Sequence, residues 1–199
     1  MPLSLPTTED YKEYLRIEMP TAEDSDIDGV RLSTESMIRK VSGRSWSIAG
    51  DTATTRFFAP RADRQDLIRI FDCVEVTAVT NDGEVVPAWT RPTGGYQLEP
   101  LNGLDWTGEA RPFESVRYIN KWWKFDGFRQ TVGVTARWGW TDIPEQVVRA
   151  HYVIAKDMWL MRRQDQIAAG FEEVLEAKAK LLLKGYRREE AKAGIGGAR

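Results

Sequence analysis

Three regimes of hydrophobic spacing succeed one another along the chain. Up to residue 45 the apolar positions recur at three- and four-residue steps. Thr8-Glu9-Asp10 opens a short helix carrying Tyr11, Tyr14 and Leu15, which Pro20 stops. Thr21 and Asp24 stand at capping-box spacing, and Ile27, Val30, Thr34, Met37, Ile38 and Val41 then mark one stripe of a helical period. Arg39 and Lys40 fall in the last turn and Gly43 at the C-cap, which suits the helix dipole. Gly29 is the odd residue inside this helix, costing about 1 kcal/mol relative to Ala.

From residue 51 to 140 the period changes to two. Thr54–Phe58, Leu67–Ile70 and Val74–Val79 are β-rich runs, and Asn81-Asp82-Gly83 turns the chain into Glu84-Val85-Val86 as a hairpin. Prolines and glycines punctuate a loop-rich middle with short strands near Tyr96–Leu98 and Ser115–Asn120. Thr131–Trp138 is the last strand. Helical spacing returns at Trp140-Thr141-Asp142-Ile143-Pro144-Glu145, where Pro144 suits a first helical position. Val147, Val148, His151, Tyr152, Ile154, Ala155, Met158 and Trp159 then give a wide apolar face, closed by Arg162-Arg163. A further helix spans about 171–184, and a glycine-rich end follows. Helices, strands, helices: the order predicts an α+β fold, a helical base of about four helices with an antiparallel β layer or sandwich inserted in it. The expected divisions are 1–49 for the N-terminal helices, 50–140 for the β region, 141–186 for the core and C-terminal helices, and 187–199 for a tail.

Composition narrows the class. The 199 residues are 42% hydrophobic and 29% charged, as in a globular protein. Apolar runs such as Met158–Met161 are far below the roughly 20 residues that span a bilayer, so no membrane segment is expected. Met1-Pro2-Leu3-Ser4-Leu5-Pro6 has neither a basic region nor an apolar run, so no secretory signal is expected. The net charge is −2, unevenly spread: residues 1–30 carry eight acids against Lys12 and Arg16. Residues 178–188 carry Lys178, Lys180, Lys184, Arg187 and Arg188 and no acid. Such ends suit contacts between copies or with charged partners, or are simply two solvated faces.

Candidate chemistry is sparse. Cys73, the single cysteine, excludes an intramolecular disulfide and a cysteine-based zinc cluster, and it packs as a small apolar residue within a strand. His151, the single histidine, lies on the apolar side of its helix, which favours a buried, hydrogen-bonded ring over a catalytic base acting with Asp157. No Gly-x-Ser-x-Gly elbow or phosphate-binding glycine loop occurs, and Glu172-Glu173 and Glu189-Glu190 are sequence neighbours on polar faces rather than carboxylates facing across a cleft. No enzyme, metal or cofactor is expected. Six tryptophans (Trp89, Trp106, Trp122, Trp123, Trp138 and Trp140) crowd the β region among Arg117, Lys121, Lys124, Arg129 and Arg137. They read as core, as subunit interface, or as a stacking platform for nucleic acid or carbohydrate on a helical stem.

Three segments in order resemble the head–tail connector (adaptor) proteins of long-tailed bacteriophages. Ser33–Trp46, ending Ser42-Gly43-Arg44-Ser45-Trp46, is similar to the family's second helix and its step into the β region. Val132-Gly133-Val134-Thr135-Ala136-Arg137-Trp138-Gly139-Trp140, followed by Ile143-Pro144-Glu145, resembles the strand and corner that open the family's core helix. Lys180-Leu181-Leu182-Leu183-Lys184-Gly185-Tyr186-Arg187-Arg188 is similar to the close of its last helix, with Gly185 where the family often has Pro. Their order and spacing, more than any one motif, carry the resemblance.

The resemblance implies a structural virion protein at the neck, assembled in the host cytoplasm. Copies would close into a ring through heterologous contacts, about twelve of them in the family. The ring would join the portal protein to a tail-side stopper or tail terminator and leave an axial channel for DNA, without sequence-specific DNA binding. On this reading Lys178, Lys180, Lys184, Tyr186, Arg187 and Arg188 are candidate portal contacts. Trp138, Gly139, Trp140 and Pro144 are the candidate structural corner.

Overall fold

The structure, a computed structural model, describes residues 4–15, 24–90, 92–104, 108–127, 129–163 and 170–188. It separates into two compact units. One comprises Met1–Trp46 with Asp142–Arg199, the other Ser47–Thr141.

The first unit is helical: α1 (Thr8–Leu15), α2 (Asp24–Ser42), α3 (Glu145–Arg163) and α4 (Phe171–Leu182). Thr7 caps α1. Its backbone N–H and hydroxyl donate to Asp10 Oδ2, both at 2.7 Å, and Asp10 N–H donates to Thr7 Oγ1 at 3.3 Å. This reciprocal cap holds the Asp10 carboxyl below its ordinary range. The Thr21 cap and the Pro20 stop expected from the sequence lie outside the described residues. The α2 stripe is buried at all six positions, Ile27, Val30, Thr34, Met37, Ile38 and Val41. Tyr11, Ile27, Val30, Ala155 and Trp159 form the core that α1, α2 and α3 share.

His151 sits in this unit at 1% exposure. Its Nδ1 is 3.1 Å from the Tyr11 hydroxyl, while Nε2 is buried without a hydrogen-bond partner among the described residues. Burial, with a smaller contribution from the Arg31 charge, lowers its pKa from 6.5 to about 4. Burial likewise pushes the Tyr11 phenol up. The ring is therefore neutral and structural at neutral pH.

The second unit is one six-stranded antiparallel sheet. Its strands are β1 (Thr54–Phe58), β2 (Leu67–Asn81), β3 (Glu84–Val86), β4 (Gly95–Glu99), β5 (Phe113–Ile119) and β6 (Val132–Trp138). The order is β1-β6-β2-β5-β4, with β3 hairpinned onto β2. Asp82 (φ 53°) and Gly83 (φ 88°) both take the left-handed conformation that a tight two-residue hairpin needs. The runs 67–70 and 74–79 are one strand in the structure. They are joined through Phe71-Asp72-Cys73; the register with β5 shifts between Arg69 and Cys73, and that with β6 just beyond, between Cys73 and Glu75. The bulge buries two successive residues, Asp72 and Cys73, which is why the alternation breaks there in the sequence. Cys73 donates its weak S–H to Phe113 O at 3.7 Å. Ile68, Ile70, Val79, Val116, Val132 and Val134 form the heart of the sheet core, with Trp123 packed into it.

The His151 geometry sets a pH dependence. A folded-state pKa below the unfolded one means that the stabilisation is complete above about pH 6.5 and is lost progressively as pH falls toward 4. Urea unfolding of wild type and His151→Gln at pH 7.5 and pH 4.5 checks this. The wild type should lose about 2–3 kcal/mol more than the variant over that interval; equal losses would contradict the buried neutral ring.

Candidate partner-contact surfaces

The basic C-terminal segment divides into two halves. Lys178 on α4 pairs with Asp157 of α3 at 2.5 Å, and Lys180 with Glu176 one turn earlier at 3.3 Å. Glu176 is also bonded by Lys40 of α2, and these two lysines hold its carboxyl below the ordinary range, Lys40 first. Lys184 is exposed. Tyr186, Arg187 and Arg188 instead turn back onto the end of α2. Tyr186 is 5% exposed and meets Trp46 edge-on at 6.1 Å. Its carbonyl accepts from Arg44 Nε at 2.6 Å. Arg187 Nε donates to Val41 O at 3.3 Å, and Arg188 N–H to Ser42 O at 2.9 Å. These donors satisfy carbonyls that the end of α2 leaves without helical partners. Residues 189–199 of the expected tail lie outside the described residues.

The corner residues lie where β6 runs out. Gly139 has φ 126°, and a Cβ there would stand 2.5 Å from Ser47 O and 2.8 Å from Ala49 N. Its N–H donates to Asp72 O at 2.7 Å. Trp140 N–H donates to Ser47 O (2.8 Å), its carbonyl accepts from Ala49 N–H (2.9 Å), and its indole Nε1–H donates to Asp72 Oδ2 (3.1 Å). The incoming and outgoing ends of the sheet unit are thus clipped together over a buried carboxylate. Pro144 precedes α3, and its carbonyl accepts from Val147 and Val148 N–H.

Trp138 differs from Trp140. It is half-buried, donates Nε1–H to Thr54 O at 2.8 Å, and lies in an open cluster with Phe58 and Phe71. The Arg56 guanidinium stands 4.7 Å from its ring centroid and 5.0 Å from that of Phe71. The members come from β1, β2 and β6, so no local pattern in the sequence marks them.

Two further surfaces escaped the sequence reading. In the loop after β5, Trp123 is buried at 1% exposure while its neighbour Trp122 is 67% exposed and Phe125 41%. A loop has no period to say which tryptophan points in. Among α2, α3 and α4 lies an apolar groove of about 650 Å³, lined by Gly29, Ser33, Met37, Met158, Met161 and Phe171 among others. Gly29, the odd residue of the α2 sequence, opens onto it. Among the described residues no cluster of three metal-ligating side chains occurs, and no helix is long and apolar enough to cross a membrane.

The clip and the C-terminal return carry measurable weight. Gly139→Ala should cost about 3 kcal/mol, since both the backbone conformation and the Ser47 carbonyl oppose a Cβ. Trp140→Ala should cost about 3–5 kcal/mol and Trp138→Ala only about 1–2 kcal/mol, in keeping with full against partial burial. Urea unfolding of the three variants checks the order; equal costs for the two tryptophans would refute it. A chain ending at Arg188 should exceed one ending at Gly185 by about 3 kcal/mol in the same assay, from the Tyr186 packing and the backbone bonds.

No family model matches the chain, and no curated protein matches it in sequence. Solved structures do match in fold. A chain from the neck of an empty GTA particle, computed with C6 symmetry, aligns with a TM-score of 0.53 at 13% identity, covering 92% of this chain and 88% of that one. A chain from the neck of a native GTA particle, computed with C12 symmetry, aligns with a TM-score of 0.50 at 12% identity, covering 94% of each. The helical unit with its inserted sheet is a fold found in the neck of a phage-like particle.

Proposed function

We infer that this chain is a structural, non-catalytic protein of the head–tail neck in a phage-like particle. The observation that carries the reading is the agreement in fold with neck chains over nine-tenths of this chain and nearly as much of theirs. The ordered motifs ending in Trp138-Gly139-Trp140 and Tyr186-Arg187-Arg188 support it independently.

A neck protein works by geometry. Identical copies joined by one heterologous contact close into a ring when the rotation between neighbours divides a full turn. Cyclic symmetry of the order seen in the matched necks supports a ring of about twelve copies here. Such a ring encloses an axial channel through which DNA passes without base readout. One of its faces would meet the portal and the other a tail-side stopper or terminator. Of the candidate portal contacts, Lys184 presents an exposed charge, while Lys178 and Lys180 are partly exposed in pairs with Asp157 and Glu176. Tyr186, Arg187 and Arg188 support that surface by fixing the chain against α2. Trp138 with Arg56 is suited to a second contact, since Trp and Arg anchor protein interfaces.

The test is negative-stain electron microscopy with mass photometry of the purified protein, alone and mixed with portal-bearing particles of its source. Closed rings, or density capping the portal vertex, are the expected result. Monomers that leave the particles undecorated, together with DNA binding that weakens steeply with salt, would overturn the reading in favour of a nucleic-acid-binding β module on a helical stem.

A further inference from the structure

We propose that successive copies dock by a knob and a groove: the Trp122–Phe125 loop of one copy seats in the α2–α3–α4 groove of the next. The proposal rests on the ring reading above and names the contact that closes the ring.

The knob is built to be presented. Trp122 (67% exposed) and Phe125 (41%) flank a short stretch pinned from inside. Trp123 is buried, its Nε1–H donating to Asp66 O (3.1 Å) and its N–H to Gln65 O (2.9 Å). Lys124 N–H donates to Asn81 Oδ1 (2.9 Å), its Nζ pairs with Asp82, and its carbonyl accepts from Thr131 Oγ1 (2.5 Å). A loop held at this many points loses little entropy on docking. Two exposed aromatics three residues apart are the usual substance of an interface hot spot, Trp122 offering most of its ring and Phe125 less than half of its surface.

The groove suits that knob in size, texture and charge. Its volume of about 650 Å³ falls in the range of sites that bury a large ligand group. Gly29, Ser33 and Ser36 leave the α2 wall low, and Met37, Met158 and Met161 supply flexible thioethers that adapt to aromatic rings. Glu172 stands on its lining with a side chain 77% exposed, loosely paired with Lys40 at 3.8 Å. Lys121, the residue before Trp122, is exposed and has no carboxylate partner among the described residues. Seating Trp122 would bring Lys121 toward Glu172.

Symmetry argues the same way. A cyclic ring of more than two copies needs two different patches, one answering the other, where a twofold dimer needs one self-complementary patch. The knob lies on the sheet unit and the groove on the helical unit, so the pair is heterologous by construction.

Two full-length variants test this: Trp122→Ala/Phe125→Ala removes the knob, and Ser33→Trp, at an exposed position, fills the groove. Near-ultraviolet circular dichroism first confirms that both fold. In sedimentation velocity over a concentration series, each variant alone should self-associate at least tenfold more weakly than wild type. An equimolar mixture should then form a one-to-one heterodimer and nothing larger, because one intact knob and one intact groove remain. If both variants associate like wild type, this contact falls and the ring closes elsewhere. If only the knob variant loses association, the loop seats outside the groove and the proposal is likewise overturned. Wild type that stays monomeric overturns it too, and the ring reading then stands or falls separately on the portal-bound images.

Discussion

The clip at Gly139 and Trp140 is the constraint on which the arrangement of the chain depends. A sheet inserted between α2 and α3 must return its outgoing end to its incoming one, or the two helical halves cannot rejoin. Backbone bonds between Trp140 and the Ser47–Ala49 segment impose that return, and Asp72 receives both the Gly139 N–H and the Trp140 indole. A buried carboxylate is costly unless hydrogen-bonded, so the clip and the bulge that carries Asp72 stabilise each other. Only glycine at 139 lets the two backbones come this close.

Within the helical unit α2 plays the corresponding part. Its inner stripe packs on α1 and α3, its last carbonyls bind the returning Arg187 and Arg188, and its small residues shape the groove. One helix thus serves core, terminus and surface, which accounts for a sequence at odds with helix propensity at Gly29. A glycine that only destabilised the helix would have no packing reason to be there; here it widens a concave surface.

The fold was legible wherever one periodicity ruled. The α2 stripe is buried where the spacing placed it, and in α3 Val147, His151, Ile154, Ala155 and Trp159 are buried while Val148, Tyr152 and Met158 at the edges of the face are partly so. His151 and Cys73 followed from the same logic, each falling inside a stripe or strand. Legibility failed where a residue's surroundings come from distant segments. The fused β2 was hidden by two adjacent buried residues at a bulge. The Arg56–Phe71–Trp138 cluster joins three strands that are distant in the chain. In the basic run 178–188, Lys178 and Lys180 pair with Asp157 and Glu176, Lys184 is exposed, and Arg187 and Arg188 bind carbonyls of α2, differences that tertiary contacts create.

Division of the helical unit by the insertion has a temporal side. Some hundred residues separate the end of α2 from the start of α3, which at ordinary translation rates is an interval of about 5–20 s. For that time α2 has left the ribosome without the helix that covers its inner face, and the sheet cannot close because Gly139 and Trp140 have not yet been made.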